Sequence, residues 1–211
     1  MGSCVEIIDD LYVKSDGSGT FKYTVNLSSS VVKINSILAL DSLDGRKVPS
    51  ISEIQEKLNT YLTKLEKKEG LSNVKLDANY KDFIFKFQCE FTNVQVLQKA
   101  IKEIVQEENK NTEIKELDHN WLAWDGTKLV RSIPTMPEKI SERMKKEDAE
   151  ALQKGTYLSI SRFDRTIEKY DNPVAKLSGN KLAILIKTNP YSLTQNTELL
   201  ENTIYLSALK K

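Results

Sequence analysis

Residues 82–91 read DFIFKFQCEF, and this stretch decides the fold class. Phe83, Phe85, Phe87, Cys89 and Phe91 share one parity, while Lys86, Gln88 and Glu90 share the other. A two-residue period is the mark of a strand that buries one face, and aromatic side chains suit such a pleated, half-covered surface. Cys89 lies on the apolar parity and is expected to be a small core residue. The run just before it, about 73–80, reads as the antiparallel neighbour of this strand.

Working outward, residues 5–14 and 20–28 flank the turn SDGSG, and Phe21, Tyr23, Val25 and Leu27 alternate against polar residues. That is a hairpin pattern. The turn lacks the further acidic ligands of a calcium loop and the Gly-Lys-Ser/Thr of a phosphate loop. NWLAWDGTKLVRSI (120–133) looks like another hairpin, with Asp125-Gly126 at its tip and both tryptophans on its first arm. Strands are also expected near 156–163, 165–170, 181–187 and 203–207, with turns at Asn172-Pro173, Ser178-Gly179 and Asn189-Pro190.

Helices fill the gaps. From Ser50 or Ser52, a stripe of Ile51, Ile54, Leu58, Tyr61, Leu62 and Leu65 recurs at three- and four-residue steps and ends near Gly70. A second stripe, Val94, Leu97, Ile101, Ile104 and Val105, follows a cap at Thr92 or Asn93. Ser29–Leu43 is dense enough in aliphatic residues for a short buried helix, with a strand as the alternative, and a polar peripheral helix is expected over about 137–154. The expectation is an α+β fold: a mainly antiparallel β-sheet built from hairpins, with several amphipathic helices packed on it. Residues 5–211 are expected to form one domain, with 1–3 an expression scar in place of a removed leader and Cys4 the lipid-anchor cysteine.

Composition narrows the function classes. The 31 Lys and Arg balance 30 Asp and Glu, so charge gives no support to a nucleic-acid partner. No apolar run approaches the roughly 18 residues a membrane-spanning helix needs, and no leader pattern opens the chain. The two cysteines, Cys4 and Cys89, are too few for a disulfide framework and leave the compartment undecided.

The machinery of common catalysis is sparse. The single histidine, His119, cannot by itself define a triad or a multi-histidine metal site, and no dinucleotide fingerprint or nucleophile elbow is present. No catalytic residue, metal or cofactor is therefore expected. Acidic pairs such as Asp9-Asp10, Asp41/Asp44 and Glu107-Glu108 carry little weight among 30 acidic residues. The candidate contact residues are Trp121 and Trp124, and Arg162 and Arg165 in SRFDR. The tryptophans point to opposite faces of a short strand, so that one could be exposed, with partial burial under a neighbouring loop the expectation. The arginines could hold an anion but are expected to pair with carboxylates such as Asp164 or Glu168.

Cys4 in MGSC is the remaining signal. It suits the first residue of a mature bacterial lipoprotein, with Met1-Gly2-Ser3 replacing a removed leader. Myristoylation at Gly2 with palmitoylation at Cys4 is an alternative, weakened by Glu6 where that motif takes Ser or Thr; an incidental surface cysteine is another. The order of Cys4, an acidic stretch, the DGSG hairpin, DFIFKFQCEFTNVQVLQKAI at 82–101 and Tyr157…Arg165-Thr-Ile…Asn172…Leu177-Ser-Gly-Asn-Lys-Leu…Asn189-Pro190 resembles cell-envelope lipoproteins of Bacteroidetes-type bacteria. It is also faintly similar to LppM-like lipoproteins. The resemblance implies acylation of Cys4, attachment to the outer membrane on the periplasmic or surface side, and an envelope protein or glycan as partner. Glu6, Asp9 and Asp10 would then correspond to an acidic surface-export signal. A glycan-acting enzyme using two carboxylates, or a lipid or small-ligand carrier with a cavity between sheet and helices, are the rival readings.

Overall fold

In a computed structural model, residues 5–108, 114–133 and 144–208 are described. Cys4 and the first part of the expected polar helix, 137–143, lie outside them. The fold is α+β, mostly antiparallel sheet packed against helices.

The opening stretch behaves as its parity requires. Strands β5 (Leu71–Asn79) and β6 (Ile84–Phe91) pair antiparallel, and Cys89 and Phe91 are buried. Hairpin β1 (Glu6–Val13) and β2 (Gly19–Asn26) adds to the other side of β6. Far along the chain, β9 (Thr156–Phe163) lies parallel to β1, and β12 (Ala183–Thr188) and β11 (Lys176–Leu177) extend the sheet beyond it. The resulting order is β11-β12-β9-β1-β2-β6-β5, with β1/β9 its one parallel pair.

A second, four-stranded antiparallel sheet runs β10 (Ile167–Tyr170), β13 (Asn202–Leu206), β8 (Lys128–Arg131), β7 (Leu122–Trp124). The two sheets share a core: Leu11, Val13, Cys89, Phe91 and Phe163 of the first pack with Leu122, Leu129, Ile204 and Leu206 of the second. The expected strand over 165–170 thus leaves the first sheet at a corner and serves the second.

Helix α2 (Ile51–Glu66) opens with a reciprocal cap, in which the Glu53 amide donates to Ser50 and the Ser50 amide donates to Glu53. In α3 (Val94–Glu108), Asn93 is the residue that caps, accepting from the Val96 amide at 2.9 Å. Lys64 bonds Glu107 and Lys68 bonds Glu103, a pairing that runs the two helices antiparallel. Exposed ion pairs of this kind add little stability; the apolar stripes against the sheet do the holding. Pro190 begins a short helix, α5 (Pro190–Gln195), capped by Asn189, where the sequence reads only as a turn.

The expected buried helix over 29–43 needs correction. Helix α1 (Val31–Leu38) forms, but none of its residues is buried, and a two-residue hairpin, β3 (Ser42–Leu43) with β4 (Arg46–Lys47), follows it. Asp44 and Gly45 both take positive φ there, 51° and 75°, as a tight hairpin turn requires. Aliphatic density says that a helix wants cover, not that the fold supplies it. The polar helix is shorter than expected within the described residues, α4 (Lys146–Gln153), and has no buried residue.

Gly19 sits where β2 passes β1 and β6 most closely. A Cβ there would collide with the Tyr12 carbonyl oxygen and the Phe91 ring. Backbone cannot yield as a side chain does, so Gly19→Ala is expected to destabilise the protein by about 3 kcal/mol, read as a lowered midpoint in urea unfolding.

Candidate functional site

The inner face of the seven-stranded sheet carries a row that changes character from polar to apolar. Register places Asp9 opposite Tyr23, and Tyr23 opposite Phe87. Asp9 is also level with Ser159 on β9. Two strand spacings, about 10 Å, therefore separate Asp9 from Phe87.

At the polar end Asp9 is 2% exposed. Its carboxylate accepts from Tyr157 at 2.6 Å, from Arg131 Nη2 at 2.8 Å and from Ser159 at 3.2 Å, and Arg131 Nη1 also donates to Ser159. Burial, then the Asp9 charge, pushes the Tyr157 phenol well above its ordinary value, and the same two causes raise Tyr23. At Arg131 burial disfavours the charge, but Asp9 and then Tyr157 more than offset it, so its pKa is raised. Since Arg131 comes from the second sheet, this charge pair ties the two sheets together. Every Asp9 oxygen is engaged, which marks the cluster as a structural joint.

The acidic stretch expected to act as an export signal is thus built into a strand. Asp9 points inward and Asp10 outward, where it accepts from Arg162 Nε at 2.8 and 3.0 Å.

At the apolar end, Phe87 and Cys89 of β6, Leu71 of β5, Leu65 of α2, and Leu97, Ala100, Ile101, Ile104 and Val105 of α3 surround a hollow of about 130 Å³. No polar side chain other than the Cys89 thiol lines it, and burial pushes that thiol up to about 12, so it stays protonated. Farther along the same helix, Ile54, Leu58 and Tyr61 line an open groove of about 540 Å³ together with Lys47, Pro49, Glu53 and Lys57. From Leu58 to Leu65 is seven residues, about 10 Å of helix, so α2 presents one apolar track from groove to hollow. The groove's lining holds one carboxylate, Glu53, and the hollow's holds none; neither offers the pair a glycosidase needs.

The residues singled out from sequence are used elsewhere. Trp121 and Trp124 are both half-buried against the core. Trp124 stacks on Phe163 at 6.4 Å. Arg165 lies over the Trp124 ring and donates to the carbonyls of Ser207 and Gly126, clipping the corner where β9 gives way to β10. It meets carbonyls there, not the carboxylates expected. Arg162 is half-exposed and committed to Asp10. His119 Nε2 is 2.9 Å from Ser132 Oγ, which also lies 3.3 Å from the Asn120 carbonyl. Among the described residues no cluster of His, Cys, Asp and Glu could hold a metal ion.

No protein-family model matches the chain, and no curated protein does. Among solved structures, the folded domain of LppM from Mycobacterium tuberculosis, determined by NMR, aligns over 99% of this chain and 94% of its own at 8% identity, with a TM-score of 0.43. So slight a likeness carries neither fold nor function from one chain to the other.

Removing one partner of the buried pair leaves the other charge stranded. Arg131→Met and Asp9→Leu are each expected to cost about 3–5 kcal/mol, and the double variant to recover part of that loss, with a coupling of about 2 kcal/mol in a double-mutant cycle by chemical denaturation. Full recovery is not expected, because Tyr157 and Ser159 lose their acceptor.

Proposed function

We propose that this chain is a bacterial envelope lipoprotein, anchored to the outer membrane through Cys4, whose folded part holds an apolar or amphipathic ligand on the track along α2. The observation that carries the ligand reading is the hollow between sheet and helices, apolar on every side and continuous in sequence pattern with the open groove. Its size argues for part of a ligand: about 130 Å³ is close to the roughly 150 Å³ cavity that admits benzene, and below the ~300 Å³ of a whole small-molecule site. The groove, at about 540 Å³, supplies the remaining room and the polar rim of Lys47, Glu53 and Lys57. A chain of carbons lying along α2 with its end in the hollow fits that division.

The anchor reading is supported by the position of Cys4 behind Gly2-Ser3 and by the physics of tethering. Acyl chains contribute about 0.8 kcal/mol per buried CH₂, which suits a fold in which no helix among the described residues is long and apolar enough to cross a membrane.

Two measurements test the two halves. In a titration with 11-(dansylamino)undecanoic acid, the wild-type protein is expected to enhance and blue-shift the dansyl emission, and palmitate to reverse it. Ala100→Leu, which fills the hollow, is expected to weaken binding about tenfold; no enhancement with the wild type, or an unchanged affinity in the variant, defeats the ligand reading. Separately, protein expressed with a lipoprotein leader is expected in the membrane fraction with an N-terminal peptide heavier by its acyl groups, whereas Cys4→Ser is expected to be unacylated. An unmodified Cys4 defeats the anchor reading.

A further inference from the structure

We propose that α1, the β3–β4 hairpin and the first turn of α2 form a lobe that inserts apolar side chains into a lipid surface, giving the protein a second point of membrane contact beside its anchor. This rests on the reading of Cys4 as the acylated residue.

The lobe has the composition of something meant to be covered. Five of the eight residues of α1 are aliphatic; Val31, Ile34, Ile37 and Leu38 are half-buried, and Val32 projects outward. Val32 is 82% exposed. Of six exposed large apolar residues among the described residues, four fall within 32–51: Val32, Leu40, Leu43 and Ile51. Such concentration is unlike the scattered single apolar residues of an ordinary surface.

Topology says what covers it. Glu6, the first residue of β1, pairs with Asn26, the last of β2, so α1 departs from the end of the sheet at which β1 begins. Ile84 and Asn79 lie at that end too. Helix α2 delivers the chain to Leu71, which is level with Phe91 and Gly19 at the opposite end, and its 16 residues span about 24 Å, the length of the strands beside it. Its first turn, with Ile51, therefore stands at the near end with the rest of the lobe. Only Val5 separates Cys4 from β1. One residue reaches at most about 3.6 Å, so there is no linker to lift the domain clear. An acylated Cys4 presses this end of the sheet against the headgroups, and the lobe stands at that same end.

Charge leaves the apolar term in command. Residues 31–51 hold three cations, Lys33, Arg46 and Lys47, against Asp41 and Asp44. Lys33 pairs with Asp148 and Lys47 with Glu53, while Asp44 pairs with Lys145. A near-neutral, apolar tip partitions into the boundary between headgroup and acyl chain without calling for anionic lipid.

The test uses the unacylated Cys4→Ser chain, so that the lobe is read apart from the anchor. Flotation with vesicles of phosphatidylethanolamine and phosphatidylglycerol (3:1) is expected to carry the protein upward at high lipid, with little response to salt. Val32→Asp combined with Leu43→Asp is expected to lower the bound fraction about tenfold or more, while Val174→Asp, on another exposed apolar residue, leaves it unchanged. These positions are on the surface, so folding is not at stake. The proposal is overturned if Cys4→Ser protein does not float, if the double variant floats as well as its parent, or if sedimentation shows instead a dimer that the double variant dissolves. Acylation of Cys4 is scored independently, so loss of the lobe and loss of the anchor give different results.

Discussion

The parallel pairing of β1 with β9 is the constraint on which the rest of this molecule depends. The other sheet contacts of the first 91 residues are antiparallel: β1/β2 and β5/β6 are hairpins that could form early from a local turn, and β2/β6 joins them across 58 to 72 residues. The β1/β9 ladder instead joins Glu6 to Thr156 and Val13 to Phe163. It places the hairpins of the first half and the strands of the second half in one sheet, and it sets Asp9 beside Ser159 and Tyr157. Arg131 then arrives from the second sheet to meet that carboxylate. Closure of a loop this long carries an entropic cost that local hairpins avoid. The shared core of Leu11, Val13, Phe163, Leu129 and Leu206 is what offsets it.

Local pattern was legible in the sequence, and remote pairing was not. DFIFKFQCEF announces its strand, SDGSG and Asp125-Gly126 announce their turns, and Ser50 with Glu53 announces a helix, because each signal is contained in a few neighbouring residues. Nothing in VEIIDDLYV tells that its partner lies about 150 residues on, or that Asp9 faces inward while Asp10 faces out. An acidic pair reads as surface by composition alone. The signal that could have corrected this is the alternation itself: Asp9 shares parity with Leu11 and Val13, the two most deeply buried residues of β1. The candidate contact residues were ambiguous in the sequence for a related reason. Arg165, Trp124 and Trp121 are large side chains with polar or π character, and the corner between two sheets needs such groups as much as a ligand does.

The hollow along α2 was legible only as a condition, since its lining mixes residues from four elements whose packing no periodicity reveals. Each of Leu65, Phe87, Leu97 and Ile101 sits on a well-formed apolar stripe, and stripes facing one another ordinarily close. Here Ala100 is small where α3 faces Phe87 and Cys89 of the sheet, and space is left. Its lining is apolar apart from the Cys89 thiol, which burial keeps protonated.

Sequence and structure disagree most about α1, and the disagreement has a physical content. An isolated helix of eight residues is marginal in water, and α1 rests on the half-burial of Val31, Ile34, Ile37 and Leu38 while Val32 is left outside. The domain covers those four in part, and Lys33 reaches Asp148 of α4, but Val32 is left 82% exposed. On the proposal that Cys4, a single residue from the same sheet end, is acylated, the membrane that receives the acyl chains is the apolar phase offered to Val32. That spacing would orient the domain with the lobe toward the lipid and the DGSG turn, at the far end of β1, toward water.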